Sequence, residues 1–172
     1  MTTDTLKYLW QFALLCLLQV LIFNHLNLGG YVNPFPYIYL ILILPISIGR
    51  IQLLLVGFLL GLTIDVFSDT GGLHAAATTL LAFYRPLYLK AQSPREGYES
   101  AAVPHVKVFG FMWFLPYAVL MVVIHHTALF YLEVFRFSEF FHTLLKTLLS
   151  SVLTLAFIFL AEYLFVSTRR RR

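Results

Sequence analysis

Six long apolar runs, separated by short polar, glycine- or proline-containing breaks, constrain the fold of this chain more than any other feature. Hydrophobic residues make up 60% of the sequence and charged residues only 12%, which is far from the balance of a soluble domain. A bilayer core about 30 Å thick takes about 20 apolar residues as a helix, so each run is close to the length of one crossing. The sequence therefore predicts an all-α integral membrane protein.

The predicted domain is a single six-helix membrane bundle covering residues 1–172, because no polar interval is longer than a loop. The predicted helices are 5–24, 34–48, 51–67, 73–89, 108–131 and 139–166. The second is the shortest, and it contains Pro34 and Pro36 at its start and Pro45 near its end, where the missing amide must kink or end the helix. It is retained because removing it would strand several cations on the wrong side of the membrane.

The distribution of cations predicts that both termini are cytoplasmic. With six crossings, only Arg136 and Lys146 fall outside, as the positive-inside rule requires. The cations predicted to lie inside are Lys7, Arg50, Arg85, Lys90, Arg95, Lys107 and the terminal arginines 169–172. The net charge of +4 then follows from topology and from attraction to anionic lipids, so membrane lipids rather than nucleic acid are the expected partners of these groups.

Residues 57–77 place an acid in an apolar helix and then break into a polar, glycine-rich turn. Gly57, Gly61, Asp65 and Asp69 recur at every fourth position and so form one stripe on a helix. The two glycines allow either close helix packing inside the monomer or docking of a partner's transmembrane helix. Asp65 either caps a broken helix end by accepting backbone amides or belongs to a functional site, because an ionised group is costly in hydrocarbon.

Similar predicted depths group several polar residues into a candidate site. A rise of about 1.5 Å per helical residue puts Asp65 level with His125 and His126, in the outer half of the membrane. We predict an outward-opening polar pocket lined by Asp65, Asp69, His74 and one of the two adjacent histidines. Only one is expected there, because neighbouring side chains on a helix point about 100° apart.

Two other polar groups are candidates for pairing. Glu139, His142 and Lys146 share one face at the end of the last predicted helix and are expected to pair with one another. Arg85 and Glu162 lie near the predicted inner surface and are candidates for a pair across helices. Neither group forms a pattern typical of catalysis.

The sequence predicts no enzymatic activity, no cofactor and no metal site. It contains no GxSxG, Walker or HExxH motif, and no two histidines show the i, i+4 spacing of the HExxH zinc site. The function is therefore expected to lie in the helices themselves or on their lipid-facing surfaces.

The segment around Asp65 also carries a resemblance to a known family. The residues concerned are Gly57-xxx-Gly61-xxx-Asp65, then Phe67-Ser68, then Gly72-Leu73-His74-Ala75. They are similar to the G-x-x-x-D and G-L-H/N-A segment of the MreD family, small inner-membrane components of the bacterial rod-shape (elongation) machinery. The chain length and the six predicted crossings agree with this resemblance.

The resemblance implies a non-enzymatic scaffold in the bacterial inner (cytoplasmic) membrane. MreD-like proteins associate with MreC, a single-pass protein with a periplasmic coiled coil, in the complex that couples actin-like MreB to RodA and its penicillin-binding transpeptidase. The third helix and exposed small-residue seams are the first candidates for contact with MreC. The family fold is also similar to the six-helix S-components of energy-coupling-factor transporters, which leaves an alternative open: a substrate-binding subunit of a vitamin importer.

Overall fold

The computed structural model describes residues 3–26, 32–99 and 102–165 of the chain. These residues form helices and turns with no β-strand among them, so the all-α prediction is confirmed. Three predicted features lie outside the described residues: part of the outer loop (27–31), the last residue of the sixth predicted helix (166) and the terminal arginines (169–172).

The helices follow the apolar runs closely, with one exception. In chain order they are α1 (Thr3–Leu21), α2 (Tyr39–Leu42), α3 (Arg50–Ser68), α4 (Leu73–Ala91), α5 (Val106–Phe109), α6 (Phe111–Val134) and α7 (Phe140–Phe165). The long helices α1, α3, α4, α6 and α7 match five of the six predicted helices to within a few residues at each end. The exception is the second predicted helix.

Within the described residues, four helical stretches are long and apolar enough to cross a membrane. They are Thr5–His25, Arg50–Ser68, Phe111–Val134 and Phe140–Leu164. Large apolar side chains point away from the protein on these helices, for example Val66 and Val152, which are 72% and 67% exposed. Such surfaces are stable in contact with lipid, so they agree with the prediction of a multi-helix membrane protein.

The fourth predicted crossing, α4, is less apolar than these four stretches because much of its surface faces protein. At 19 residues, α4 is about 29 Å long. It packs against both α3 and α6, and Ala77, Leu81 and Ala82 are buried at these contacts. Arg85, on the same helix, is only 1% exposed. Side chains that contact protein need not be apolar, which explains how α4 accommodates polar residues.

The second predicted helix, 34–48, is wrong as a continuous helix. The chain forms only a 3₁₀ turn, Pro36–Ile38, followed by the four residues of α2. Prolines lack the amide that a helix needs and restrict the residue before them, and Pro34, Pro36 and Pro45 bracket this stretch. Every residue from 34 to 44, hereafter the buried segment, is buried. Irregular backbone is tolerated at membrane depth where protein surrounds it.

Candidate functional site

Asp65 lies on the last turns of α3 and caps the first turn of α4. Its Oδ1 accepts hydrogen bonds from the His74 amide (3.0 Å) and the Thr70 hydroxyl (2.5 Å), and its Oδ2 accepts one from the Ala75 amide (2.8 Å). The first amides of a helix have no partner within the helix and favour a negative charge. The carboxylate, which is 4% exposed, therefore has the geometry of a helix cap. Capping was one of the two roles that the sequence predicted for Asp65.

The turn between α3 and α4 explains the glycines that follow Asp65. Asp69 adopts a left-handed conformation (φ 53°) and donates its amide to the Asp65 carbonyl oxygen, which ends α3. Gly71 and Gly72 also have positive φ, at 59° and 100°, a region that favours glycine. The chain thus reverses between Ser68 and Leu73, and this reversal brings the start of α4 back to Asp65.

Gly57 and Gly61 form the close contact between α3 and α4. A Cβ atom on Gly61 would lie 2.5 Å from the Cα of Ala75 and closer still to the carbonyl oxygen of His74. A Cβ on Gly57 would lie 2.9 Å from the Cβ of Ala82. The glycine face of α3 therefore packs closely against α4 inside the monomer. Because α4 fills this face, a partner's transmembrane helix cannot dock there.

Tyr37 of the buried segment is the centre of a polar cluster, hereafter the tyrosine hub, which consists of Tyr37, His74, Thr78 and His125. The Tyr37 hydroxyl oxygen lies 2.7 Å from His125 Nε2 and 3.1 Å from both His74 Nδ1 and Thr78 Oγ1. All four side chains are at most 4% exposed. The hub thus joins the buried segment to α4 and α6.

Counting protons restricts the possible directions of the bonds in the tyrosine hub. Thr78 donates its hydroxyl proton to the His74 carbonyl oxygen (2.8 Å), so towards Tyr37 it only accepts. Tyr37 has one proton, and if Thr78 receives it, both imidazoles must donate to the Tyr37 oxygen. His125 then carries its proton on Nε2, which leaves Nδ1 as a bare acceptor. This assignment agrees with the finding that His125 Nδ1 is buried without a hydrogen-bond partner among the described residues.

Removing the Tyr37 hydroxyl is expected to weaken the bundle. Tyr37→Phe keeps the ring but leaves the buried His74 and His125 nitrogens unpaired, so we expect a loss of about 2 kcal/mol in the free energy of unfolding. The measurement is reversible unfolding in mixed detergent micelles. Tyr163→Phe, on a tyrosine that is 79% exposed, is the matched control and should leave stability unchanged. Equal stability of the two variants would contradict the role of the hub.

His126 joins α6 to α7 and to the buried segment. Its Nδ1 lies 3.0 Å from the Val122 carbonyl oxygen, an acceptor, so Nδ1 carries the proton. Its Nε2 then accepts from the Thr154 hydroxyl (3.0 Å), which itself accepts the Phe35 amide (3.0 Å). His125 and His126 therefore both face the protein interior, on different neighbours, whereas the sequence analysis placed only one of them in the site.

A polar cavity of about 400 Å³ opens beside the Asp65 cap, but its lining differs from the predicted pocket. Among the predicted residues, His74 lines it, whereas Asp65, His125 and His126 lie behind its wall and Asp69 lies exposed on the turn. Its polar lining consists of Asn24, His25, Asn33, Ser68, Thr70, His74 and Glu133. The lining matches the prediction only at His74, because the capping, hub and α7 contacts turn Asp65, His125 and His126 into the protein.

Hydrogen bonds hold the wall of this cavity in place. The Asn24 amide donates to Ser68 Oγ (2.9 Å), which joins the end of α1 to the end of α3. The Gln19 amide nitrogen donates to Asn24 Oδ1 (3.0 Å) and to the Pro34 carbonyl oxygen (3.2 Å). The cavity is therefore walled by fixed side chains and by the irregular backbone of the buried segment. No group of three or more metal-ligating side chains is present in the described ranges.

Arg85 and Glu162 do not pair with each other, although both are buried. The Arg85 guanidinium donates to the Tyr117 hydroxyl (2.9 Å) and to the carbonyl oxygens of Leu42 and Leu44, which end the buried segment. Arg85 therefore caps α2, whose last carbonyls lack partners within the helix.

Glu162 instead fixes the polypeptide before α5. Its carboxylate accepts the Tyr39 hydroxyl (2.6 Å), His105 Nδ1 (2.8 Å) and the Val106 amide (3.0 Å). Tyr39 and His105 were not predicted as its partners, because 123 and 57 positions separate them from Glu162 along the chain.

Lys146 pairs with α6 and not within its own helix face. Its ammonium lies 3.0 Å from Glu133 Oε2 and 4.4 Å from the centre of the Phe130 ring. The expected pairing with Glu139 is not found among the described ion pairs: Glu139 lies two helical turns before Lys146, whereas Glu133 of α6 is in direct contact with it.

These contacts divide the predicted site residues into three groups. Gly57, Gly61, Asp65, Asp69 and Gly72 build the α3–α4 hairpin, whereas His74 and His125 belong to the tyrosine hub and His126 to the contact with α7.

Comparison with family models, with curated proteins and with solved structures finds no match to this chain.

Proposed function

We propose that this chain is a non-enzymatic membrane scaffold of the MreD type, with six crossings and both termini in the cytoplasm of a bacterium. In this proposal it binds MreC in the inner membrane and supports peptidoglycan synthesis by RodA and its penicillin-binding transpeptidase, in the complex that contains MreB. The observation that carries the proposal is that the buried charged side chains form structural contacts within the chain. The buried carboxylates, Asp65 and Glu162, and the buried Arg85 each bond to groups of this same chain and hold its elements together.

A lipid-facing groove along α3 and α4 is the surface we assign to the single helix of MreC. It has a volume of about 690 Å³ and is lined by Leu54, Phe58, Leu62, Gly72, Ala75, Ala76, Thr79, Leu80 and Phe83. Small residues in its floor allow a second backbone to approach closely, which is how helices associate in lipid. The glycine face of α3 is filled by α4, so this groove replaces the glycine stripe as the candidate contact.

Co-purification tests the scaffold proposal. The tagged chain, extracted from its native membrane in mild detergent, is expected to recover a protein with one membrane span and a coiled coil. Ala76→Leu narrows the groove and should reduce that recovery about tenfold, because a lost close contact of about 1.4 kcal/mol is a factor of 10. Ala156→Leu, the same change at an exposed alanine of α7, is the control and should not reduce the recovery of that protein. Recovery of transporter ATPases and no MreC-like protein would contradict the proposal.

The polar cavity favours a second candidate function, the substrate-binding subunit of an energy-coupling-factor type vitamin importer. Its volume of about 400 Å³ lies within the usual range of small-molecule sites, about 300–1,000 Å³. Asparagine, serine, threonine and histidine side chains in its lining provide both donors and acceptors. The same purification separates the two candidates, because the importer requires an energy-coupling ATPase as its partner and a small molecule in the cavity.

A further inference from the structure

A second groove, at the ends of α4 and α6, combines an apolar floor with one cation at its rim. It has a volume of about 460 Å³, and Leu80, Thr127, Ala128 and Leu132 contribute to its lining, with Phe135 and Arg136 at one end. Almost all of the lining is apolar apart from Arg136 and the hydroxyls of Thr127 and Tyr131. The Tyr131 hydroxyl already donates to the Phe140 carbonyl oxygen (3.2 Å).

The groove runs along the lipid-facing surface, from the ends of α4 and α6 towards the middle of their length. α4 begins at Leu73 and α6 ends at Val134, and these two ends lie on the same side because the helices are antiparallel neighbours. Leu80 is seven residues into α4, so the groove reaches about 10 Å below the helix end. A channel of this depth along a lipid-facing surface matches the upper part of an acyl chain.

Near Glu139, the next acid in the sequence, Arg136 places an exposed positive charge at the mouth of this groove. Its side chain is exposed, and it belongs to neither of the ion pairs found in the described part of the chain. Glu133, the nearest acid before it in the sequence, is held by Lys146 at 3.0 Å. Arginine binds phosphate through a fork of N–H donors, so the charge at this mouth complements a phosphate group.

Phe135 adds a second feature at the same end. It adopts a left-handed conformation (φ 42°), although it is not glycine, and its ring is 86% exposed. This conformation costs a non-glycine residue about 1 kcal/mol, and it ends α6 at this point. The exposed ring therefore provides apolar contact area next to the Arg136 cation.

We propose that this groove is a binding site for one anionic phospholipid, whose phosphate contacts Arg136 and whose acyl chain lies between α4 and α6 over Ala128. The inference rests on the membrane residence given above but not on the scaffold role. The simpler role of Arg136, a cation that stabilises the end of α6 through the helix dipole, predicts no preference among lipids.

Native mass spectrometry of the detergent-solubilised full chain tests this site. The probes are phosphatidylglycerol, phosphatidylcholine with the same acyl chains, and glycerol 3-phosphate, which has the phosphate without the chains. We expect phosphatidylglycerol to bind about fivefold more tightly than phosphatidylcholine, since one basic residue contributes about 1 kcal/mol towards anionic lipid. Glycerol 3-phosphate is expected not to bind, and if it bound as tightly as the lipid it would overturn the role of the groove.

Variants separate the headgroup contact from the groove. Arg136→Gln should remove the preference for phosphatidylglycerol and Arg136→Lys should retain most of it, whereas Arg95→Gln, at an exposed cation of another loop, should leave it unchanged. Thr127→Phe fills the groove and should weaken the binding of both lipids equally. Folding of each variant is checked by a monodisperse elution profile. Equal binding of the two lipids to the wild type, or an unchanged preference in Arg136→Gln, would overturn the proposal.

Discussion

Asp65→Ala is expected to lower the free energy of unfolding by at least about 4.5 kcal/mol, because hydrogen bonds to a charged group contribute about 1.5–3 kcal/mol each and this carboxylate accepts three. The change leaves the His74 and Ala75 amides without their partner in a buried site, so the first turn of α4 should open. Unfolding in mixed detergent micelles measures the loss. Hydrogen exchange at the same two amides should rise together with it.

Asp69→Asn is the matched control for Asp65→Ala. Asp69 lies one helical turn further along the same chain, but its side chain is exposed, and asparagine tolerates the left-handed backbone found there. The control should change stability by less than about 0.5 kcal/mol, as surface substitutions usually do. If Asp65→Ala proved as stable as Asp69→Asn, Asp65 would not act as a structural cap, and its role as a functional site residue would have to be taken up again.

The α3–α4 hairpin was largely predictable from the sequence, because its contacts are local. Gly61, Asp65, Gly72 and His74 fall within 14 positions, so helix periodicity and turn chemistry placed them close together. The structure adds the reason for their spacing. A glycine one turn before Asp65 lets α4 approach α3 closely enough for the carboxylate to reach the His74 and Ala75 amides.

The lining of the cavity was not predictable, because depth in the membrane is only one coordinate. Asp65 and His125 were predicted to lie at a similar depth, but the direction of a side chain around its helix depends on which helices are neighbours. His125 points to Tyr37, 88 positions away, and no pattern in the sequence connects the two. Tyr37 and Thr154 were therefore missed, since a tyrosine or threonine in an apolar run looks the same whether it is bonded or not.

The buried segment was misread for a related reason. An apolar run of about 15 residues predicts burial, but hydropathy does not distinguish burial in lipid from burial in protein. The prolines at both of its ends were the available signal. Arg85 was a second signal, because a cation in a core helix needs acceptors, and the free carbonyls of a broken helix provide them.

Among the described glycines, Gly61 is the one where an added methyl group, in Gly61→Ala, is expected to lower the free energy of unfolding most. The new Cβ would lie 2.5 Å from the backbone Cα of Ala75, and backbone atoms cannot rotate away as a side chain can. α3 and α4 would have to separate by about 1 Å, which also lengthens the hydrogen bonds of the Asp65 cap. Overpacking of a core costs about 1–3 kcal/mol, and the loss of the cap adds to it, so we expect at least about 3 kcal/mol in the free energy of unfolding.

A series of three glycines tests whether this close approach holds the hairpin together. Gly57→Ala meets the Ala82 Cβ at 2.9 Å and should lose less than Gly61→Ala, whereas Gly49→Ala meets only the flexible end of Gln52, at 3.3 Å, and should lose about 1 kcal/mol or less. The expected order of stability is Gly49→Ala, then Gly57→Ala, then Gly61→Ala. If the Gly61 variant unfolded at the same free energy as the Gly49 variant, the helices would be free to move apart. The close approach would then contribute nothing to the Asp65 cap.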